Sequence, residues 1–451
     1  MNRTFSPFIG VLLVVTGCAT GIDHDLVAAR TESLYGNRPG APVAATERET
    51  PPIAVADGSL DGYIQIALLN NAGLRSAFEQ WRSALERIPQ ATALPDPQFT
   101  FTNFIEEVQT RTGPQNNRFQ LSQKFPWYGK LKAKGDVAAE HAESLWWVVE
   151  LRSLSLAREV KSAYFEYAYL AQAVRIVEEN LSLLQGLEPI VQRRVQTGAS
   201  QGELLRLQVE IGKVENEHDS LRGYRPSVNA QLNALLNRES DALLPWPETI
   251  EADVIRYAAA DLKALLVREN PELKSLAYRI READERTAVA RFSGYPDVTV
   301  GLAFIDTGDA VTAVRPPDSG DDPISVSIGF NLPIWRHKYA ASEREAQAAR
   351  NSARDRRTQR QHDLYSELEL TLYKYDDAAR QITLYRDTLI PRAQQALEVT
   401  QISYESGKST LLDVIDIQRE LLFFEKSYWR ALSNYQQQSA ALEALCGGNL
   451  P

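Results

Sequence analysis

Apolar and polar residues alternate singly over Ile324–Trp335. Ile324, Val326, Ile328, Phe330 and Leu332 are separated by Ser325, Ser327, Gly329 and Asn331. A period of two places each set on its own face of a strand. Pro333 ends the pattern, because it brings no N–H to a sheet ladder. The alternation has a twin roughly 200 residues earlier. There Phe119, Leu121 and Phe125 share one face, Arg118, Gln120, Ser122 and Lys124 share the other, and Pro126 follows. Each twin has an upstream partner opened by Pro-Asp, Leu94–Ile105 in one case and Tyr295–Ile305 in the other. Two hairpins are predicted, at 98–125 and 297–332. A strand of about nine residues, apolar on one side and wet on the other, suits a membrane-spanning barrel; it equally suits a half-buried strand of a soluble sheet.

Beyond each hairpin the period becomes helical and stays so. Tyr128 to Gln196 is broken only by Gly129, Gly135, Gly186 and Pro189, and Lys338 to Tyr404 only by Pro391. Each run of roughly 65 residues reaches about 100 Å at 1.5 Å per residue, more than a compact core requires. Ala, Leu, Glu, Arg and Gln dominate both, which points to coiled-coil-like packing. Both runs end at a glycine turn, with Gly198 and Gly407 as left-handed caps and Ser200 and Ser409 as the next helix starts. In the two turns Glu203 matches Asp413, and Arg206 matches Asp416. Return helices run on to about Leu236 and Leu445. Shorter helices starting near Leu60 and Val254 carry NNAGLRSA and ENPELKSL, pairing Asn71 with Asn270 and Leu74 with Leu273. The chain therefore divides into repeats at 60–236 and 254–446, a linker at 237–253 and a tail at 447–451.

Residues 1–17 have one early charge, Arg3, and an apolar core too short to span a bilayer as a helix. They end VTGC, which resembles a bacterial lipoprotein cleavage box with Cys18 as the lipidated first residue. Ala19, rather than Asp, follows; in such lipoproteins that implies transport to the outer membrane. Residues 18–59 read as an extended tether. Lipidation of Cys18 leaves Cys446 alone, so no intrachain disulfide is expected. The net charge of −10 and the lack of a dense basic cluster argue against a nucleic-acid partner. The five histidines are scattered without ligand spacing, and no nucleotide loop, nucleophile elbow or metalloprotease motif occurs. Neither a cofactor nor an enzymatic activity is expected.

The fold class read from these elements is mainly α with a small β part. Four strands cannot close a membrane barrel, and open edges cannot face lipid. Strands in a membrane would require several chains to share one barrel, and three chains supply about twelve strands with an open lumen. The long helices would then ring a second, α-helical barrel. The competing reading is a structural periplasmic coiled-coil lipoprotein with no duct. Alternation over all four strands favours the duct.

In this order, and in two copies, the motifs resemble the TolC-like outer-membrane efflux proteins, in their lipid-anchored branch. VTGC, NNAGL and NPEL, the Pro-Asp hairpins, QKFPWYGKL and YESGKSTLLDVIDIQ carry the resemblance, which spans Leu60–Leu445. It implies a homotrimer in the bacterial outer membrane with a transmembrane β-barrel on a long periplasmic helical barrel. It further implies outer-membrane lipid, a periplasmic adaptor (membrane-fusion) protein and an inner-membrane pump of the RND type as partners. QKFPWYGKL looks closest to members serving heavy-metal pumps, so the cargo is expected to be heavy-metal cations or drugs. By the same resemblance Asp413 and Asp416 ring the closed periplasmic gate, and Tyr404 helps latch it. The family's basic latch partner falls at Ser409, with Lys408 adjacent. The turns at Gly198, Ser200, Gly407 and Ser409 would meet the adaptor. Six carboxylates crowded in such a ring should raise one another's pKa. Asp306, Asp309, Asp318, Asp321 and Asp322 crowd the second hairpin loop, as an acidic vestibule or a plain soluble loop.

Overall fold

The computed structural model describes residues 58–247, 255–448 and 450, together with residues 25, 26, 29 and 30. The signal segment, Cys18, most of the tether and residues 248–254 of the linker region lie outside the described residues. The first repeat contains α1 (Leu60–Asn70), α2 (Ala72–Leu85), α3 (Arg87–Thr92), β1 (Gln98–Thr110), β2 (Gly113–Phe125), α4 (Lys130–Gln196) and α5 (Gln201–Leu235). The second contains α6 (Ala259–Glu269), α7 (Pro271–Phe292), β3 (Val298–Thr307), β4 (Ile324–Phe330), α8 (Arg336–Leu384), α9 (Ile390–Glu405) and α10 (Leu411–Leu445). Among the described residues no helix is long and apolar enough to cross a membrane.

The chain forms two compact units. One comprises Met1–Leu26, Trp81–Leu145 and Leu276–Arg356, and holds the sheet. Its four strands are antiparallel in the order β1-β2-β3-β4, so β2 and β3 join the two repeats. The register aligns the apolar positions into rows across the strands. Phe101, Phe119, Phe304 and Ile324 form one row, and Phe99, Leu121, Leu302 and Val326 the next. Further rows follow through Val300–Ile328 and Phe125–Val298–Phe330. Most of these side chains are exposed, Val326 at 71% and Phe99 at 67%, while Phe304 and Val298 are half-buried. The opposite face is small and polar, and Gly301 lets the strands close up, since a Cβ there would come within 2.5 Å of Ser327 Oγ. Among the described residues, the edges β1 and β4 have no neighbouring strand on their outer sides. β4 stops at Phe330, two residues short of the predicted end at 332. Asn331 turns its side chain to accept the Asp297 N–H, and Pro333 cannot extend the ladder.

The acidic loop is not a free loop. Gly308 N–H donates to Pro114 O at 2.7 Å and Gly320 N–H to Thr112 O at 2.8 Å, which tie it to the β1–β2 turn. Gly113 there has φ +136°, and a side chain at that position would collide with Gly308 O.

The second unit, Val27–Gln80, Trp146–Ser275 and Arg357–Pro451, is helical. α4 is continuous for 67 residues, so Gly135, Gly186 and Pro189 do not interrupt it as the sequence suggested. Tertiary packing overrides the local helix-breaking propensity. Pro391 is accommodated differently. A single π turn, Tyr385–Leu389, precedes it, in which Ile390 N–H bonds to Tyr385 O five residues back. The core confirms the coiled-coil reading: Val177, Leu184 and Val191, Leu207 and Val214, Leu397 and Tyr404, and Val414 and Leu421 recur at seven-residue spacing.

The repeated asparagine motif has one structural job in both halves. Asn71 Oδ1 accepts from Leu74 N–H at 3.1 Å while its amide donates to Leu235 O at 3.1 Å. Asn270 accepts from Leu273 N–H at 3.1 Å and donates to Leu445 O at 3.0 Å. Each asparagine thus caps the helix that leads towards its hairpin and ties it to the end of the return helix. A tyrosine clamp repeats as well. Tyr164 hydroxyl donates to Gly58 O, and Tyr375 hydroxyl to Ile255 O at 2.9 Å, while Tyr435 accepts the Ile255 N–H. That clamp takes the backbone of Ile255 out of helical bonding, so α6 starts at Ala259, later than the predicted start near Val254.

Asn270→Ala should lower stability by about 1–2 kcal/mol, because it removes a cap and a buried hydrogen bond together. Asn270→Asp keeps the cap acceptor and loses only the donor to Leu445. Thermal unfolding in detergent should therefore rank wild type above Asn270→Asp and Asn270→Ala lowest.

Candidate functional site: the helical tips

Two helix pairs, α4–α5 and α9–α10, each reverse through a glycine turn. At the first, Ala199 N–H reaches Arg194 O at 2.9 Å and Gly198 N–H reaches Val195 O at 3.2 Å. At the second, Lys408 N–H reaches Ser403 O at 2.8 Å and Gly407 N–H reaches Tyr404 O at 3.0 Å. Both are Schellman motifs, which need a left-handed residue. Gly198 has φ +113° and Gly407 φ +75°, and a Cβ at either would meet nothing within 4 Å. Both predicted caps are therefore in place, and both turns present bare backbone to open space.

The helix starts differ. Ser200 is the N-cap of α5, and its hydroxyl accepts from Gly202 N–H at 3.1 Å. Ser409 is not the cap of α10; that role falls to Thr410. Ser409 instead donates its hydroxyl to Thr400 O at 3.1 Å. Thr410 wins because an acid stands three residues on. Asp413 accepts the Thr410 N–H at 2.8 Å while Thr410 Oγ1 accepts the Asp413 N–H at 3.3 Å, a complete capping box.

Asp413 is thus occupied within its own chain. Within the chain, the Thr410 N–H and hydroxyl hold its carboxyl below the ordinary aspartate range. Asp416, one helical turn on, is also engaged, 3.3 Å from an Arg419 guanidinium nitrogen. Arg419 simultaneously grips Glu210 of α5, with Nε 2.7 Å from Oε1. Glu210 is buried at 5% exposure, and Arg419 lowers its pKa against the opposing effect of burial. One heptad further along both helices, Glu217 pairs with Lys426. Sequence spacing had not marked Glu210, Arg419, Glu217 or Lys426. Their matching seven-residue separation was the available signal.

Tyr404 is buried at 2% exposure in the core of the tips. The Arg194 guanidinium lies 4.2 Å over its ring and donates to its carbonyl oxygen at 2.7 Å. The Tyr404 hydroxyl donates to Glu203 Oε2 at 3.4 Å. Burial raises the phenol's pKa, with Arg194 opposing, so it remains a donor at neutral pH. Within the chain, the basic group against Tyr404 is Arg194 of α4. Glu203 and Asp413 both stand three residues past their caps, yet they behave differently. Asp413 is short enough to fold back on Thr410, whereas Glu203 reaches across to Tyr404.

The chain resembles known proteins over this whole arrangement. Residues 263–448 match the family described as "Outer membrane efflux protein". The pyoverdine export outer membrane protein OpmQ of Pseudomonas putida is 23% identical, over 88% of this chain and 87% of its own. The cobalt-zinc-cadmium resistance protein CzcC of Cupriavidus metallidurans is also 23% identical, over 88% of this chain and 92% of its own. Among solved structures, CusC superposes with TM-score 0.74 at 18% identity, covering 91% of this chain and 98% of that one. The outer membrane protein VceC of Vibrio cholerae superposes with TM-score 0.72 at 20% identity, covering 86% and 96%.

The Glu210–Arg419 pair sets a pH expectation. Glu210 has a depressed pKa in the folded chain, so its contribution to stability is present above the unfolded value of about 4.3 and is lost as pH falls through the folded value. Protection factors of the α5 amides around Glu210, corrected for the intrinsic pH dependence of exchange, should hold at pH 5 and fall only in stronger acid. In Glu210→Gln the same amides should exchange faster already at pH 7.

Proposed function

We propose, for a chain that belongs to the TolC-like family of outer-membrane efflux proteins, that it is the outer-membrane channel of a tripartite efflux system, a passive trimeric duct. The observation that carries the reading is the sheet: continuous apolar rows on one face, small polar residues on the other, and two unpaired edges. Lipid solvates the apolar face, and β1 of each chain pairs with β4 of the next until about twelve strands close. The helical portion extends into the periplasm. Lipidation of Cys18 adds a second hold on the outer membrane.

The turns at Gly198–Ser200 and Gly407–Ser409 meet a periplasmic adaptor, which couples the duct to an inner-membrane pump of the RND type. Both glycines are bare, so a partner's side chains can approach the backbone closely. The same openness leaves room for Gly407→Trp to obstruct docking, at the cost of strain from its positive φ. Asp413, Asp416 and Tyr404 form the periplasmic gate. Arg194 and Glu203 at Tyr404, and Glu210 at Arg419, tie the α9–α10 hairpin to α4–α5, and opening must loosen these ties. Relatives named for pyoverdine export and for cobalt-zinc-cadmium resistance support a cargo of metal cations or drug-like organic molecules. The duct walls accept both, and the pump selects.

Single-channel recording from purified trimers tests the reading. Wild type should show a low resting conductance, and Tyr404→Phe or Arg194→Gln should raise it. Asp413→Asn with Asp416→Asn should keep the cap, because an amide oxygen still accepts from Thr410, yet weaken block by a trivalent cation such as hexaamminecobalt. A chain that stays soluble without detergent and never conducts would instead be a structural coiled-coil lipoprotein.

A further inference from the structure

A cleft of about 190 Å³ opens in the helical unit between α4, α10 and the first residue of α9. Ile176 and Ile390 give it apolar walls, and Tyr428 and Trp429, with ring centroids 5.4 Å apart, line it beside them. Its charged groups are Arg175, Glu179 and Glu425. Arg175 is spent within α4. Its Nη1 donates to Glu179 Oε1 at 2.7 Å, and its Nε donates to Gln172 Oε1 at 3.0 Å. The basic neighbours of Glu425 on α10 are committed as well. Lys426 pairs with Glu217 of α5, and Arg430 pairs with Glu166 of α4. Among the described residues no cation forms an ion pair with Glu425. One positive and two negative groups leave the cleft net negative once Glu425 ionises. Burial, reinforced by Glu179 and opposed by Arg175, holds the Glu425 carboxyl above its usual range.

We propose that this cleft binds small organic ammonium ions, the ammonium N–H groups donating to Glu425 and the hydrocarbon body lying against Ile176, Ile390 and Trp429. The inference goes beyond the duct reading, since every wall of the cleft belongs to one chain. A half-buried carboxylate without a counter-ion is costly, and a ligand that brings the cation removes that cost. Aromatic side chains beside it add attraction for an ammonium group. Apolar walls with a few convergent polar groups are the usual form of a small-molecule site. A bare metal cation suits the cleft less. It offers two carboxylates, one already held by Arg175, and no group of three His, Cys, Asp or Glu able to hold a metal occurs among the described residues. Ile390 N–H makes the π-turn bond to Tyr385 O, so an occupant packs against the joint from which α9 runs to Tyr404.

Calorimetric titration of the full-length protein in detergent with phenethylamine tests the site. Wild type should bind with a Kd on the order of 1 mM, as a ligand of about nine heavy atoms can. The neutral isostere phenethyl alcohol reports partition into detergent and should show no saturable binding. Glu425→Gln should weaken amine binding roughly tenfold, the worth of a hydrogen bond to a charged group. Arg175→Gln should strengthen it roughly threefold by removing the opposing charge, a gain that misfolding cannot mimic. Zinc ions should not displace the amine. No saturable binding to wild type, equal affinities in wild type and Glu425→Gln, alcohol binding as tight as amine binding, or displacement by zinc would each overturn the site. None of these outcomes bears on whether trimers conduct.

Discussion

Backbone hydrogen bonding at the two open edges of one small sheet constrains everything else in this protein. Every peptide group on the outer edges of β1 and β4 needs a partner, and an edge in lipid has no water to supply one. The sheet nevertheless exposes four apolar rows, more contiguous apolar surface than a soluble monomer ordinarily shows. Both demands are met together only when chains join edge to edge around a closed circle. The internal duplication follows from the same logic. Each repeat contributes one hairpin, and the β2–β3 pairing fuses the two hairpins into a single arc of wall.

The tips answer a different problem, how to reverse two long helix pairs and still let them move. Schellman turns at Gly198 and Gly407 satisfy the orphan carbonyls without side chains. The pairs share one apolar core, and specific polar ties cross it. Arg194 covers Tyr404, and Arg419 spans from buried Glu210 to exposed Asp416. Arg419 therefore connects Asp416, a proposed gate carboxylate, to the packed body of the tip. Breaking its contact with Glu210 leaves a buried carboxylate with only the more distant Lys213, at 3.5 Å, a penalty against gradual opening. Such ties favour two discrete arrangements over a continuum.

Local periodicity carried the hairpins, the long helices and the repeat, because parity and heptad spacing are properties of neighbouring residues. The strand faces followed from Phe119, Leu121 and Phe125 alone. The asparagine motif was visible as a repetition, but its second hydrogen bond, to Leu235 or Leu445, joins residues distant in sequence. The partners of Tyr404, and the Glu210 partner of Arg419, were hidden for that reason. Arg194, Glu203 and Glu210 come from the other repeat, and no spacing rule links them to α9 or α10. The cap of α10 was misplaced by one residue because Ser409 and Thr410 are both competent caps, and only the geometry of Asp413 decides between them. The Thr410 contacts that lower the Asp413 pKa within one chain were not foreseen, because the capping box depends on the backbone geometry of the turn. Cys18 lies outside the described residues, so its lipidation rests on the VTGC sequence.

The central claim is that β1 of one chain lies beside β4 of another, and disulfide trapping across that edge tests it most directly. Single cysteines at Thr100 and at Ser327, paired in one chain, should on oxidation in native outer membranes give covalent dimers and trimers. The ladder should stop at three, because the circle is then closed. Flanking positions on each strand, scanned in turn, would fix the register. Cys446 is buried and should stay silent. Monomers at every position tested, or a ladder running past three, would contradict a barrel shared by three chains.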